Sequence, residues 1–193
     1  MKSVIKLFAL LLAVNASAQS VSATYSSGDI STDYTSSSSV STSTISSCYG
    51  TLTVNLPNGG TVTSVDIEYD MTASNYGWRS EQRSYVKSVD TGTKTALLSG
   101  SGSGGTHSYT ISSSNIANGT YSGNTDLDFE IHAFRTYGIS GCGTYYNKVD
   151  DGTWKVTVNY SLACSGTPVP GNTVASVSSS AVSSVCSGTT VDF

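Results

Sequence analysis

The chain of 193 residues is 37% hydrophobic but only 11% charged, and its thirteen acidic residues outnumber nine basic ones for a net charge of −4. That balance argues against nucleic acid and anionic membrane surfaces as partners, because both are gripped by clustered lysine and arginine. With so few charges, solubility has to come from serine, threonine and exposed backbone, which suits an extracellular β module better than a cytosolic enzyme.

Residues 1–18 open with Lys2 and Lys6, continue through the apolar run Leu7 to Val14 and end in Ala16-Ser17-Ala18. A basic start, a short apolar stretch and small residues before the cut describe a secretory signal peptide, cleaved before Gln19. The apolar run is too short to span a bilayer. Loss of Lys2 and Lys6 leaves seven basic residues against thirteen acidic ones, a mature net charge of −6. Residues 19–47 are nearly all Ser, Thr, Tyr and small apolar side chains, and read as a leader or an edge strand.

From Cys48 the pattern sharpens. Leu52, Val54 and Leu56 alternate with polar residues before a turn at Pro57-Asn-Gly-Gly60. Val65, Ile67 and Tyr69 then alternate with Asp66, Glu68 and Asp70, which gives a strand packed on one face and wet on the other. Arg79 to Val89 predicts a strand with Arg79, Glu81 and Arg83 on one face, and His107 to Ile111 predicts another after a glycine-serine loop. Asp126 to Phe134 is the strongest strand, burying Leu127, Phe129, Ile131 and Ala133, and Trp154 to Tyr160 closes the domain after Asp150-Asp-Gly152. Residues 164–172, with Pro168 and Pro170, read as a linker, and residues 173–193 as the start of an incomplete module, since one or two strands cannot make a core. Short strands separated by turns predict an all-β fold: an antiparallel β-sandwich of jelly-roll type over 48–163, with a truncated C-terminal stub.

Four cysteines in an exported chain favour disulfides. Cys48 and Cys142 lie inside the domain and are paired first; Cys186 pairs with Cys164 or with a residue beyond the chain. No Cys-x-x-Cys spacing supports zinc.

Two acidic stripes are the first candidates for chemistry: Asp66, Glu68 and Asp70 on one strand, and Asp126, Asp128 and Glu130 with His132 on another. Were these strands neighbours, facing carboxylates would repel. Either the arginine strand intervenes, or the oxygens hold calcium, or, the plainer reading, the stripes are solvated faces balanced by lysine and arginine. Asp126-Leu-Asp-Phe-Glu130 resembles the Glu-x-Asp-x-Glu motif of laminarinase-type glycoside hydrolases, in which the first carboxylate is the nucleophile and the last the acid/base. Here aspartate replaces the first glutamate. Retaining chemistry needs carboxyls about 5 Å apart, whereas i and i+4 on a strand are roughly 13 Å apart along the backbone. The aromatic residues Tyr76, Trp78, Tyr137, Tyr145 and Tyr146 fall in less regular segments, where rings on a rigid sandwich suit carbohydrate or protein contacts.

Cys48-Tyr-Gly-Thr-Leu-Thr-Val, Gly77-Trp78-Arg-Ser-Glu81-Gln-Arg83, Phe129-Glu-Ile-His-Ala-Phe-Arg135-Thr-Tyr-Gly and Tyr146 to Trp154, together with Cys142, resemble a β module of large secreted proteins of Bacteroidetes-type bacteria. The terminal Val185-Cys-Ser-Gly-Thr-Thr-Val-Asp-Phe193 resembles the start of an Ig-like module. The resemblance implies a secreted or cell-surface, adhesion-like protein with further domains downstream and no catalytic residue. The Gly-Thr-Trp154 closing strand is also similar to that of proprotein-convertase P-domains, which implies a jelly roll and hints at calcium. The expected function is thus a non-catalytic binding or structural module with carbohydrate or a surface protein as partner. The alternatives are a carbohydrate-binding accessory to a downstream hydrolase and a jelly-roll glycoside hydrolase.

Overall fold

The computed structural model describes residues 18–36, 39–57 and 59–162. Residues 1–17 of the expected signal peptide, the linker 164–172, the stub 173–193 and Cys164 and Cys186 lie outside the described residues. Eleven strands follow in order: β1 (Ala18–Thr24), β2 (Ile30–Tyr34), β3 (Gly50–Leu56), β4 (Gly59–Ala73), β5 (Gln82–Ser88), β6 (Leu98–Ser99), β7 (Gly105–Ser114), β8 (Gly119–Ser122), β9 (Thr125–Arg135), β10 (Cys142–Val149) and β11 (Lys155–Ser161). A 3-10 turn, Arg79–Glu81, leads into β5, so the predicted arginine strand starts three residues late and its arginines do not share one strand face.

Alternation builds two layers. In the first, β4 is the spine: β11 and β10 pair along one side of it, β8 and β7 along the other, and β1 lies outside β11 at the edge. In the second, β9 runs between β3 and β5, and β6 lies beyond β5. Val65, Ile67, Tyr69 and Met71 of β4 face the same core as Leu127, Phe129 and Ile131 of β9, with Val54, Val156 and Trp154 filling between them. These are the faces that sequence alternation assigns to the interior, and the result is the expected β-sandwich. Val62 and Val65 are both buried although three apart, an odd spacing that a regular strand cannot offer. The register slips between Asn159 and Tyr160 on β11 opposite them, and this bulge turns both inward.

Among the described residues the pairing is antiparallel except between β2 and β9, where Asp33 lies beside Phe134 and Tyr34 beside Arg135 in parallel. β2 pairs with β10 on its other side and so joins the two layers. Residues 19–47 therefore contribute β1 at a sheet edge and β2 in the interior, and residues 39–49 form a strap. The strap crosses the outer face of β5 and β9: Tyr85 donates to Thr44 O (2.6 Å), Lys94 to Thr42 O (2.6 Å), and Ser46 N–H to His132 Nδ1 (3.2 Å). Under it, His132, Phe134 and Tyr85 are buried, so β9 has apolar surroundings on both faces in its last half. The Cys48–Cys142 disulfide, with Cα atoms 5.8 Å apart, fastens the end of the strap to the start of β10.

Candidate functional site

The acidic stripes belong to different layers, and each is balanced by register. On β4, Glu68 lies opposite Lys155 and bonds its Nζ at 3.0 Å, while Asp66 accepts from Asn159 Nδ2 (2.7 Å) and from Ser113 N–H (2.7 Å). On β9, Asp126 accepts from Asn55 Nδ2 (2.8 Å), Asp128 from Thr53 Oγ1 (2.6 Å) and Glu130 from Lys87 Nζ (2.8 Å), each across a directly paired strand. Asp70 engages its backbone, its N–H with Thr153 Oγ1 and its carbonyl with the Asp150 N–H. The arginines are not the balancing cations. β5 does lie beside β9, but Arg83 faces Phe134, and the cation opposite Glu130 is Lys87. Among the described residues the six carboxylates form no gathering that could hold a metal; the one such group is Asp33 with Cys48 and Cys142, whose sulfurs are spent on the disulfide.

Glu130 also meets His132 Nε2 at 3.2 Å. Nδ1 accepts from the Ser46 N–H, so the ring proton sits on Nε2 and points at the carboxylate. Burial lowers the His132 pKa below its ordinary value despite the pull of Glu130. Burial raises that of Glu130, but the bonds from Lys87 and His132 outweigh it and hold the carboxyl below its ordinary value. With Nδ1 occupied by backbone, this histidine pins the strap and has no lone pair to offer as a base.

The five predicted aromatic residues gather at one end of the sandwich, on three segments sewn together by backbone bonds. Ser74 N–H donates to Tyr146 O (2.9 Å), and Ser74 Oγ and Asn75 Nδ2 both donate to Tyr145 O (3.0 and 3.1 Å). Gly77 is packed so tightly there that a Cβ would lie 2.2 Å from Tyr146 O. Thr136 N–H donates to Glu81 O, and the Glu81 carboxylate accepts from Trp78 N–H at 2.8 Å. Tyr76 is 85% exposed, Trp78 56%, Tyr145 57% and Tyr137 51%, and Ile139 beside them is 71% exposed. Tyr146 differs: half-buried, it takes edge contacts from Tyr145 and Tyr137 (5.0 and 5.7 Å) and the Arg135 guanidinium over its ring (5.9 Å). Tyr137 and Tyr145 lean on it, and the turn that carries Tyr76 and Trp78 is bonded to its backbone through Ser74. Tyr145 and Tyr146 stand on β10, where the sequence suggested irregular chain.

The turn presenting Tyr76 is strained. Asn75 and Tyr76 have φ of 45° and 74°, and Gly77 N–H closes on Ser74 O at 2.7 Å. Two consecutive positive-φ residues other than glycine cost free energy in a position that glycine fills without strain. Trp154, the other tryptophan of the chain, is wholly buried against Tyr25.

Sequence reasoning passed over Arg135. It is buried and donates to Thr32 O and Oγ1, to Ile139 O (2.6 Å) and to Gly141 O (2.9 Å), so it shapes the 136–141 loop that carries Tyr137.

No family model and no curated protein matches the chain. Among solved structures it is similar to a carbohydrate-binding module from Cellvibrio mixtus lichenase 5A in complex with cellotriose, at 15% identity over 70% of this chain and 95% of that one, with a TM-score of 0.32. It is also similar to the infectious bursal disease virus VP2 subviral particle, at 13% identity over 76% of this chain and 41% of that one, again with a TM-score of 0.32. At that TM-score neither likeness bears on where a ligand sits.

Proposed function

We propose that the protein is a non-catalytic binding module of a secreted or cell-surface protein, and that it holds a saccharide on the exposed rings of Tyr76, Trp78, Tyr137 and Tyr145. The observation that carries this is Tyr76: an aromatic ring almost fully in solvent, at the tip of a turn whose backbone glycine would fill more cheaply. Strain retained at an exposed ring marks a position kept for contact. Rings with apolar faces and polar surroundings take the C–H faces of sugars by the same stacking that draws them to interfaces. The bound disulfide fits an oxidising, extracellular compartment. Asp126 and Glu130, the pair a hydrolase would need, stand four residues apart on β9 with separate partners in Asn55 and Lys87.

The test is binding of the full chain to a panel of polysaccharides, with Trp78→Ala and Tyr76→Ala each expected to weaken affinity by about tenfold. Binding that survives both substitutions would remove the site. Incubation with β-glucans is expected to release no reducing ends; release that disappears in Asp126→Ala or Glu130→Ala would install the hydrolase in its place.

A further inference from the structure

We propose, building on that reading, that the saccharide is anionic, carrying uronate carboxylates or sulfate esters, and that Arg79 and Arg83 bind its charge. The chain has three arginines, Arg79, Arg83 and Arg135, and all three fall at the aromatic end. Arg79 follows Trp78 and begins the 3-10 turn, Arg83 is the second residue of β5, and Arg135 lies opposite Gln82 where β5 meets β9. Among the described residues every ion pair is made by Lys87, Lys148, Lys155 or His132, and none by an arginine.

The guanidinium donors are instead turned to carbonyl oxygens. Arg79 gives Nε to Ser103 O (3.2 Å) and Nη1 to Thr106 O (3.2 Å), and Arg83 gives Nη1 to Ser80 O (2.8 Å) and Gln82 O (2.7 Å). Such bonds fix the side chains but leave the positive charge uncancelled, because a carbonyl is neutral. A guanidinium has five N–H donors, so each of these two keeps donors to spare. Glu81, the nearest acid in sequence, is turned to the Trp78 N–H and pairs with neither. Arg79 and Arg83 are half-exposed, whereas Arg135 is buried and has the Asp33 carboxylate acting on its charge. Lys94, the one described lysine without a carboxylate, lies elsewhere, over the Tyr85 ring beneath the strap.

A chain with a net charge of −4 repels polyanions as a whole. Two held and uncompensated guanidinium forks, one directly after the exposed Trp78 in the chain and one four residues further on, reverse that locally, and a planar fork matches carboxylate and sulfate oxygens in pairs. The same groups would give a neutral sugar nothing that uncharged donors could not.

Calorimetric titration of the full chain with an oligogalacturonate, a sulfated galactan oligosaccharide and a neutral cello-oligosaccharide tests this, and the first two arms distinguish carboxylate from sulfate. At least one acidic ligand is expected to bind at least tenfold more tightly than the neutral one, with affinity falling at least about tenfold as salt rises from about 50 mM to about 500 mM. Arg83→Gln is expected to weaken it by about tenfold in protein that still melts cooperatively, the lost bonds to Ser80 O and Gln82 O lowering the melting temperature somewhat. Arg79→Gln removes bonds that hold the 103–106 loop, so the salt dependence of the unaltered protein decides if that variant fails to fold. Equal or tighter binding of the neutral sugar, lost in Trp78→Ala, would overturn the charge assignment and leave the saccharide reading standing. No binding to any of the three would overturn both. Acidic binding that ignores salt and Arg83→Gln, or polyglutamate binding as tightly as the acidic sugars, would overturn it as well, the latter in favour of an acidic protein partner.

Discussion

His132 carries one proton in the folded protein, on Nε2, and a second has nowhere to go. Protonating Nδ1 breaks its bond from the Ser46 N–H and places a cation in a buried site near Lys87 and Lys94, with the Glu130 carboxylate to offset it. Because the folded pKa lies below the ordinary 6.5, the unfolded chain takes up the proton first as pH drops. Stability from the neutral ring is therefore complete above about pH 6.5 and declines below it, towards the lower folded value. Glu130 adds a second decline further down: its folded pKa lies below 4.5, so its contribution is present above that value and lost as pH falls through the folded one. The melting temperature should drop between neutral pH and about pH 5, and His132→Asn, whose Oδ1 can still accept from Ser46, should flatten that part of the curve. An unchanged slope in the variant would place the titration elsewhere. At Tyr76 the expectation has opposite signs for stability and function. Tyr76→Gly removes a left-handed non-glycine residue worth about 1 kcal/mol of strain, so the melting temperature should hold or rise while binding falls by about tenfold. A variant that binds as before would show the ring to be incidental.

The strap is the element with the least core of its own. Ser46 apart, its Ser and Thr side chains bury little, and it is held by bonds from Tyr85 and Lys94 and to His132, by the bonds of Ser47 to Asp33, and by the disulfide to β10. Closing a loop with a sequence separation of 94 removes enough unfolded-chain entropy to stabilise the fold by on the order of 4 kcal/mol. Cys48→Ser with Cys142→Ser should lose most of that in denaturant titration, and amide exchange at Ser46 should quicken more than at Ile131 in β9; equal protection would mean the strap stays down unaided. The strap is also what sequence hides best. Alternation at 65–71 and at 127–131 announces strands because each has one packed face, and it placed Val65, Ile67, Phe129 and Ile131 correctly. Residues 39–49 have no period, since their partners are single polar atoms on distant strands. The same holds for Arg79 and Arg83: the spacing suggested arginines paired with nearby carboxylates, but register puts lysines there and turns the arginines to carbonyls. The exposed rings were legible as residue types, and their convergence was not, because Ser74, Asn75 and Gly77 meet Tyr145 and Tyr146 only through the β4–β10 pairing.

Across the whole molecule, the two ends of the sandwich meet. Ala18 pairs with Ser161 and Thr24 with Lys155, so the first and last strands lie antiparallel, with the outer ends of both at one corner. Under tension applied through those two ends, β1 and β11 are loaded one hydrogen bond at a time, as a zipper is opened, rather than all together in shear. The outer pair should yield at low force, and β1, with no buried residue, should peel first. How far the chain then runs out is decided by the disulfide. With Cys48 and Cys142 joined, roughly 50 residues between Ala18 and Ser161 can extend, a contour on the order of 17 nm. After reduction the whole stretch is free, on the order of 50 nm. Single-molecule pulling with and without reductant should show that difference in released length. A molecule tethered at its ends would thus yield early and stop short, a strain limiter set by one covalent bond.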